Sequence, residues 1–337
     1  MYRPNPNDVL NLYTMDTNHV RLGVMNLGAT IKYLQVKDKN GYFQDVVLGY
    51  KSLDDYYTNR QFFGTIVGRN ANRIKDAHFE INGVGYDMDK NEHENNLHSG
   101  KSFFHKRLYN ADHVAPNALK FSLKSPDGDQ GFPGNLDFSV TYTLWEDAVE
   151  LTYEGISDAD TVFNPTNHSY FNLGYQDTIY DHDLRIKASG VAEVDSELMP
   201  TGNIIDVTDT VFDFRETRKL GDAFKQPLDP YIVGTQGIDH NYIFDDPDIS
   251  ESLVTLSCEE SGIKMDIFTD LPAVQVYTGN NLRDILGIDG KMYNKNGGIC
   301  LETGYVPDSV NIKAFKSPVI KKGEKVVYTT IFKFSNL

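Results

Sequence analysis

Apolar residues in this chain recur at every second position over short runs, and no long stretch carries them at every third and fourth. That pattern commits the backbone to strands, because successive side chains of a strand point to opposite faces. Leu136–Leu144, LDFSVTYTL, is the clearest case: Leu136, Phe138, Val140, Tyr142 and Leu144 take one face, and Asp137, Ser139, Thr141 and Thr143 the other. A tight Glu146-Asp147-Ala148 connection leads into Val149–Tyr153 and predicts a hairpin. Val20–Met25, Thr30–Val36, Gln44–Leu48 and Phe79–Ile81 are further short apolar runs, and Val326–Phe334 is a closing strand rich in β-branched and aromatic residues. The dipeptides Asn40-Gly41, Asn82-Gly83, Asp127-Gly128 and Asp289-Gly290 supply the positive φ that tight turns need. Helix is expected only as single turns, at Ser52–Tyr57 with Ser52 as its cap and at Leu220–Phe224.

No Ser/Gly linker, low-complexity segment or fixed-period repeat interrupts the 337 residues. The expectation is one all-β domain over residues 1–337, a large, mostly antiparallel sandwich. The chain carries 32 basic and 48 acidic residues, a formal net charge of −16. Such a surface repels nucleic-acid phosphates and anionic lipid headgroups, so neither is an expected partner, whereas a small neutral ligand fits. The two cysteines, Cys258 and Cys300, form no disulfide framework and no CxxC spacing. The N-terminal stretch MYRPNPNDVLNLYTMDTN lacks the basic start and apolar run of a signal peptide, and no apolar run approaches the ~20 residues of a spanning helix. A cytoplasmic location is therefore expected, with the chain as a monomer or homodimer.

Five segments carry chemistry-bearing side chains between turn signals. Gly68–Ile74, GRNANRI, offers the directional donors of Arg69, Asn70, Asn72 and Arg73; the plain alternative is a surface ion pair with turn asparagines. Asn95–Gly100, NNLHSG, holds His98, which a satisfied side chain would explain equally well. Asn164–Gly174, NPTNHSYFNLG, surrounds His168 with amides that reach sugar hydroxyls and aromatics that stack on a pyranose; a turn followed by core aromatics is the other reading. Gly237–Tyr242, GIDHNY, holds Asp239 and His240, whose adjacency invites a metal site, although neighbours on a strand face opposite ways. Cys300–Asn311, CLETGYVPDSVN, places Glu302 beside an apolar run, where burial would raise its pKa and make it a better base near neutrality; an outward rim position is the alternative.

In this order the five segments resemble the aldose 1-epimerase (galactose mutarotase) family. DGDQGFPGNLDFSVTYTL at Asp127–Leu144 and LPAVQVYTGNNL at Leu271–Leu282 are similar to two further regions of that family, and the likeness runs from about residue 20 to 334. The resemblance implies a galactose-mutarotase-like β-supersandwich and interconversion of the α and β anomers of free hexoses such as galactose and glucose. It implies Glu302 as general base, His168 as general acid, and His98 assisting at the ring oxygen or a neighbouring hydroxyl. It assigns Arg73 with Asn72, Asp239 and Gln275 to the sugar hydroxyls, and it calls for no cofactor and no metal. Two departures stand out: Leu-His-Ser-Gly, with Ser99, where Leu-His-Gly-Gly is usual, and Glu-Thr-Gly, with Gly304, where Glu-Thr-Gln is usual. Both leave the identity of the sugar open.

Mutarotation asks little of a protein. The anomeric hydroxyl loses a proton while the ring oxygen gains one, the ring opens, C1–C2 rotates, and the ring closes on the other face. One base and one acid suffice, each contributing roughly 10²–10⁴-fold. A disaccharide such as maltose, a hexose phosphate and a non-catalytic sugar-binding relative are the neighbouring readings. A glycoside hydrolase using Asp239 and Glu302 as its two carboxylates is another.

Overall fold

The computed structural model describes residues 9–225, 235, 237–288 and 290–337. Strands at Val20–Met25 and Leu136–Leu144 have the expected bounds, and the latter buries its Leu/Phe/Val/Tyr face while Asp137 stays exposed. Its partner, Ala148–Ser157, pairs antiparallel with Leu144 opposite Val149, which is the expected hairpin. Asn82 and Gly83, with φ of 55° and 80°, join His78–Ile81 to Val84–Asp87. Gly41 turns the chain between Thr30–Lys37 and Phe43–Asp45 with φ of 84°. Asp127-Gly128 instead opens a wider excursion containing a 3₁₀ turn at Asp129–Gly131. At Asp289-Gly290 the aspartate lies outside the described residues, as do the first eight residues of the N-terminal stretch. Ser52 caps the 3₁₀ turn Leu53–Tyr57, its hydroxyl oxygen accepting from the Asp54 N–H, and Leu220–Phe224 is a single α-helical turn.

One expectation needs correction. The run Gln44–Leu48 is not a strand throughout: pairing stops at Asp45, and Val47 makes one isolated bridge to Phe171. Val46, Val47 and Leu48 are all buried. A segment covered on every side is apolar without alternating, and its apolar run reports burial rather than strand geometry.

Among the described residues the three largest sheets, all antiparallel, share one apolar core. A four-stranded sheet holds the N-terminal strands in sequence order. A nine-stranded sheet runs from Asn110–Ala115 to Arg218–Lys219, and the last strand of the chain, Lys325–Asn336, lies in its interior between Ala148–Ser157 and Ile263–Thr269. The third sheet has six strands in the order Tyr170–Phe171, Ile299–Gly304, Ala273–Tyr277, Asp239–Ile243, Gly190–Val194, Pro200–Asp206.

The register of this third sheet positions the polar residues. Glu302 lies opposite Gln275, Gln275 opposite Asn241, Tyr277 opposite both Asp239 and Cys300, and Cys300 opposite Tyr170. Directly paired residues share a face, and so do residues two apart. Asp239, Gln275, Tyr277, Cys300, Glu302 and Tyr170 therefore stand on one side. Leu301, Val274, Val276 and Tyr242 stand on the other, inside the core. Burying each such apolar side chain is worth about 1.5–3 kcal/mol, and this fixes which way Glu302 points.

Candidate active site

Glu302 projects from the middle of a fully buried strand into a cleft of about 210 Å³. Pockets for drug-sized ligands run to ~300–1,000 Å³, so this one is scaled to a single sugar ring. Burial drives the Glu302 pKa well above the ordinary carboxylate value; nearby Asp239 pushes it the same way and Arg73 opposes both. Its Oε1 lies 3.6 Å from Nε2 of His168, and its Oε2 has no hydrogen-bond partner among the described residues.

His168 sits between the short strands Thr166–Asn167 and Tyr170–Phe171. Its own N–H donates to the Thr65 carbonyl at 2.8 Å, and its carbonyl accepts from Gly64 at 3.0 Å, which clamps the backbone. The ring stacks on Phe62 (centroids 5.6 Å apart, planes at 25°) and packs on Tyr170 at 5.2 Å. Nδ1 lies 3.5 Å from the sulfur of Cys300. Burial pushes its pKa down to about 4.

His98 has φ of 52°, in the turn of the Leu-His-Ser-Gly segment. Its Nδ1 accepts the Asn72 N–H at 3.1 Å, so the proton of the neutral ring resides on Nε2. Burial first, then His168 and Arg73, hold its pKa well below the usual histidine value. The ring meets His168 edge-on at 5.5 Å.

Arg73 is gripped by Glu92 through two hydrogen bonds, Nε to Oε2 at 2.6 Å and Nη2 to Oε1 at 3.0 Å. Burial alone would lower its pKa, but Asp239 and Glu92 outweigh that and raise it, so the cation is secure. Asp239 accepts from Gln275 Nε2 at 2.8 Å, and its pKa is raised by burial against the pull of Arg73 and Gln275. Asn72, Arg73, His98, His168, Asp239 and Glu302 all line the cleft. Gln275 is not among the lining residues, although it stands opposite Glu302 on the same side of the sheet and its Nε2 donates to Asp239. Glu92, Phe62 and Tyr277 line the cleft without having been singled out from the sequence.

The other polar residues of the five segments serve the framework. Arg69 is fully buried and donates to the carbonyls of Ser125, Pro126, Pro133 and Gly134. His240 faces away from Asp239 and packs on Phe212 at 4.5 Å, so the pair does not converge on one ion. Ser99 sits at φ 68°, where glycine is at ease, and its hydroxyl bonds both the N–H and the carbonyl of Asn70. A Cβ on Gly304 would meet Asn164 Oδ1 at 2.9 Å, and that oxygen accepts from the Tyr305 N–H. Neither departure from the family pattern lines the cleft. A different grouping could hold an ion: one donor atom each from His168, Cys300 and Glu302 lie within 4.8 Å of one another.

Comparison with known proteins bears on what this cleft does. The family model described as aldose 1-epimerase matches residues 11–333. Galactose mutarotase of Mus musculus is 38% identical over 335 residues, 98% of this chain and 96% of that protein. Aldose 1-epimerase of Haemophilus influenzae is 37% identical over 94% of this chain and 93% of its own length. Among solved structures, an aldose epimerase homologue from C. elegans superposes with a TM-score of 0.91 at 28% identity, covering 98% of this chain and all of that one. Galactose 1-epimerase from Lactobacillus acidophilus superposes with a TM-score of 0.87 at 27% identity, covering 99% and 97%.

Proposed function

The chain belongs to the aldose 1-epimerase family, and from that premise we propose that it interconverts the α and β anomers of free hexoses such as galactose and glucose, using Glu302 and His168 as its acid–base pair. It is a carbohydrate isomerase. The observation that carries the assignment of residues is the 3.6 Å approach of His168 Nε2 to Glu302 Oε1 inside a cleft scaled to one ring.

Burial lowers the His168 pKa to about 4 and raises that of Glu302 well above the ordinary carboxylate value, so the two affinities are drawn together and one proton can be exchanged between them. In the reactive arrangement that proton is on His168 Nε2 and Glu302 is ionised. Glu302 takes the proton of the anomeric hydroxyl as His168 protonates the ring oxygen, and C1–O5 breaks to give the aldehyde. Rotation about C1–C2 presents the other face, and the two groups then exchange roles to close the ring. Opening and closing conserve the proton count, so the site resets without a cofactor. His98, a neutral Nε2–H donor, steadies the ring oxygen or its neighbour; Arg73, Asn72 and Asp239 hold hydroxyls, and Gln275 acts by holding Asp239.

The same reading treats residues 1–337 as one domain, in keeping with the family match over 11–333. It places the protein in the cytoplasm, in keeping with two free buried cysteines. No helix among the described residues is long and apolar enough to cross a membrane. The test is polarimetry of freshly dissolved α-D-galactose and α-D-glucose with EDTA present. Faster decay to an unchanged final rotation is the expected result; decay at the buffer rate for both sugars would overturn the reading.

A further inference from the structure

Cys300 has no role in the proton transfers, yet it is buried two residues before the base on the same side of the strand. Its sulfur lies 3.5 Å from His168 Nδ1, and sulfur, ring nitrogen and carboxylate oxygen fall within 4.8 Å of one another. The geometry points to a second use of these residues: Cys300, His168 and Glu302 form a three-donor site for a borderline-soft divalent cation such as Zn²⁺, and its binding excludes the sugar.

The donor set selects the ion. A thiolate, an imidazole and one carboxylate suit Zn²⁺ or Co²⁺; Mg²⁺ and Ca²⁺ prefer oxygen ligands, of which this set offers one side chain. Bonds of ~2.0–2.3 Å in a tetrahedron separate donors by roughly 3.3–3.7 Å. The 3.5 Å and 3.6 Å approaches use different ring nitrogens of His168, and a single donor from each residue falls within 4.8 Å, so side-chain rotations of about 1 Å are needed to close the site. Two of the three ligands are fixed to one hydrogen-bonded strand, and the third is clamped at its backbone by Gly64 and Thr65. The unpartnered Oε2 of Glu302 supplies a lone pair with no competing donor among the described residues. His168 and Glu302 line the cleft, so the fourth coordination position opens to water, as in zinc sites with three protein ligands.

Binding is a proton exchange. The Cys300 thiol gives up its proton to solvent as the sulfur–metal bond forms. The cation then occupies the lone pairs that the proposed reaction needs on Glu302 and His168, and inhibition is competitive with sugar. That last step rests on the function proposed above; the metal site itself does not.

The test is Co²⁺ titration of EDTA-treated, dialysed protein, read by the near-ultraviolet thiolate-to-cobalt charge-transfer band, with Zn²⁺ as competitor and with galactose added. The expected result is a band displaced by Zn²⁺, weakened by galactose, retained in Cys258→Ser and lost in Cys300→Ser. Zn²⁺ affinity in Cys300→Ser should fall by at least about 100-fold, since loss of a mere outer-shell partner already costs up to that much. Cys300→Ala, with near-ultraviolet circular dichroism on every variant, separates a lost ligand from a lost fold. No band in the native protein, or a band that survives in folded Cys300→Ser, overturns the site. A band indifferent to galactose overturns the exclusion. Mutarotation in EDTA is measured separately: activity without a band removes only the metal site, and a band without activity removes only the sugar reading.

Discussion

His168 Nε2 and Glu302 Oε1 face each other across 3.6 Å, the carboxylate held in a sheet interior and the imidazole backbone clamped by the Gly64–Thr65 segment. The gap exceeds a hydrogen bond. It is nevertheless short enough for both groups to reach the two oxygens bonded to one anomeric carbon, which is what a concerted proton exchange at C1 demands.

Glu302→Gln keeps the shape of the side chain and removes its ability to take a proton. Turnover should fall by about 10²–10⁴-fold with little change in KM. Initial polarimetric rates over a range of galactose concentrations check this, and a normal kcat in the variant would remove Glu302 from the role of base.

Arg73→Ala should act mainly on binding. A charged hydrogen bond to a hydroxyl is worth about 1.5–3 kcal/mol, so KM should rise roughly ten- to a hundredfold while kcat changes less. Glu92→Gln weakens the two-pronged grip on Arg73 and should give part of the same effect. If the arginine acts only through its cleft-facing side, the double variant will be no worse than Arg73→Ala alone.

Phe62 packs on three histidines, with centroids 4.7 Å from His98, 4.5 Å from His105 and 5.6 Å from His168. Phe62→Ala lets water onto these rings and weakens the burial that holds His168 at about 4. The His168 pKa should therefore move up toward ~6.5. Titration of the His168 ring protons by NMR follows that shift, and the acidic limb of kcat/KM should move to higher pH with it.

Stability should fall on mild acidification. Burial lowers His168, His182 and His240 each to about 4, while the unfolded chain binds their protons near ~6.5. The sign follows: a depressed histidine favours unfolding once pH drops below the unfolded value. Each should cost about 1.4 kcal/mol per pH unit between ~6.5 and its folded pKa. Urea midpoints at pH 7 and pH 5 measure the total, and His240→Gln, whose ring packs on Phe212 on the other face of the sheet, should flatten the dependence by about one proton.

The strands were legible where one face is buried and the other wet, as at Leu136–Leu144. Gln44–Leu48 misled because a segment buried on all sides loses the alternation that marks a strand. His98, His168 and Glu302 were legible as motif residues, and all three line one cleft. Glu92 was not, since an acidic residue in Asn91-Glu92-His93-Glu94 reads as a solvated loop; its role arises only when folding brings it to Arg73, nineteen positions away. Phe62 was equally hidden, because nothing local distinguishes it from a core aromatic. Gln275 was legible as a site candidate, but not its link to Asp239: the Nε2 bond forms only when folding pairs the two strands.

The strand Ile299–Gly304 alternates between the two faces of its sheet. Sliding it by one residue against Ala273–Tyr277 would turn Leu301 and Thr303 toward the cleft and drive Cys300 and Glu302 into the apolar interior. A misaligned chain would then be inert and unstable for the same reason. Recovered mutarotation after refolding would count correctly aligned molecules, making catalysis an internal audit of sheet assembly.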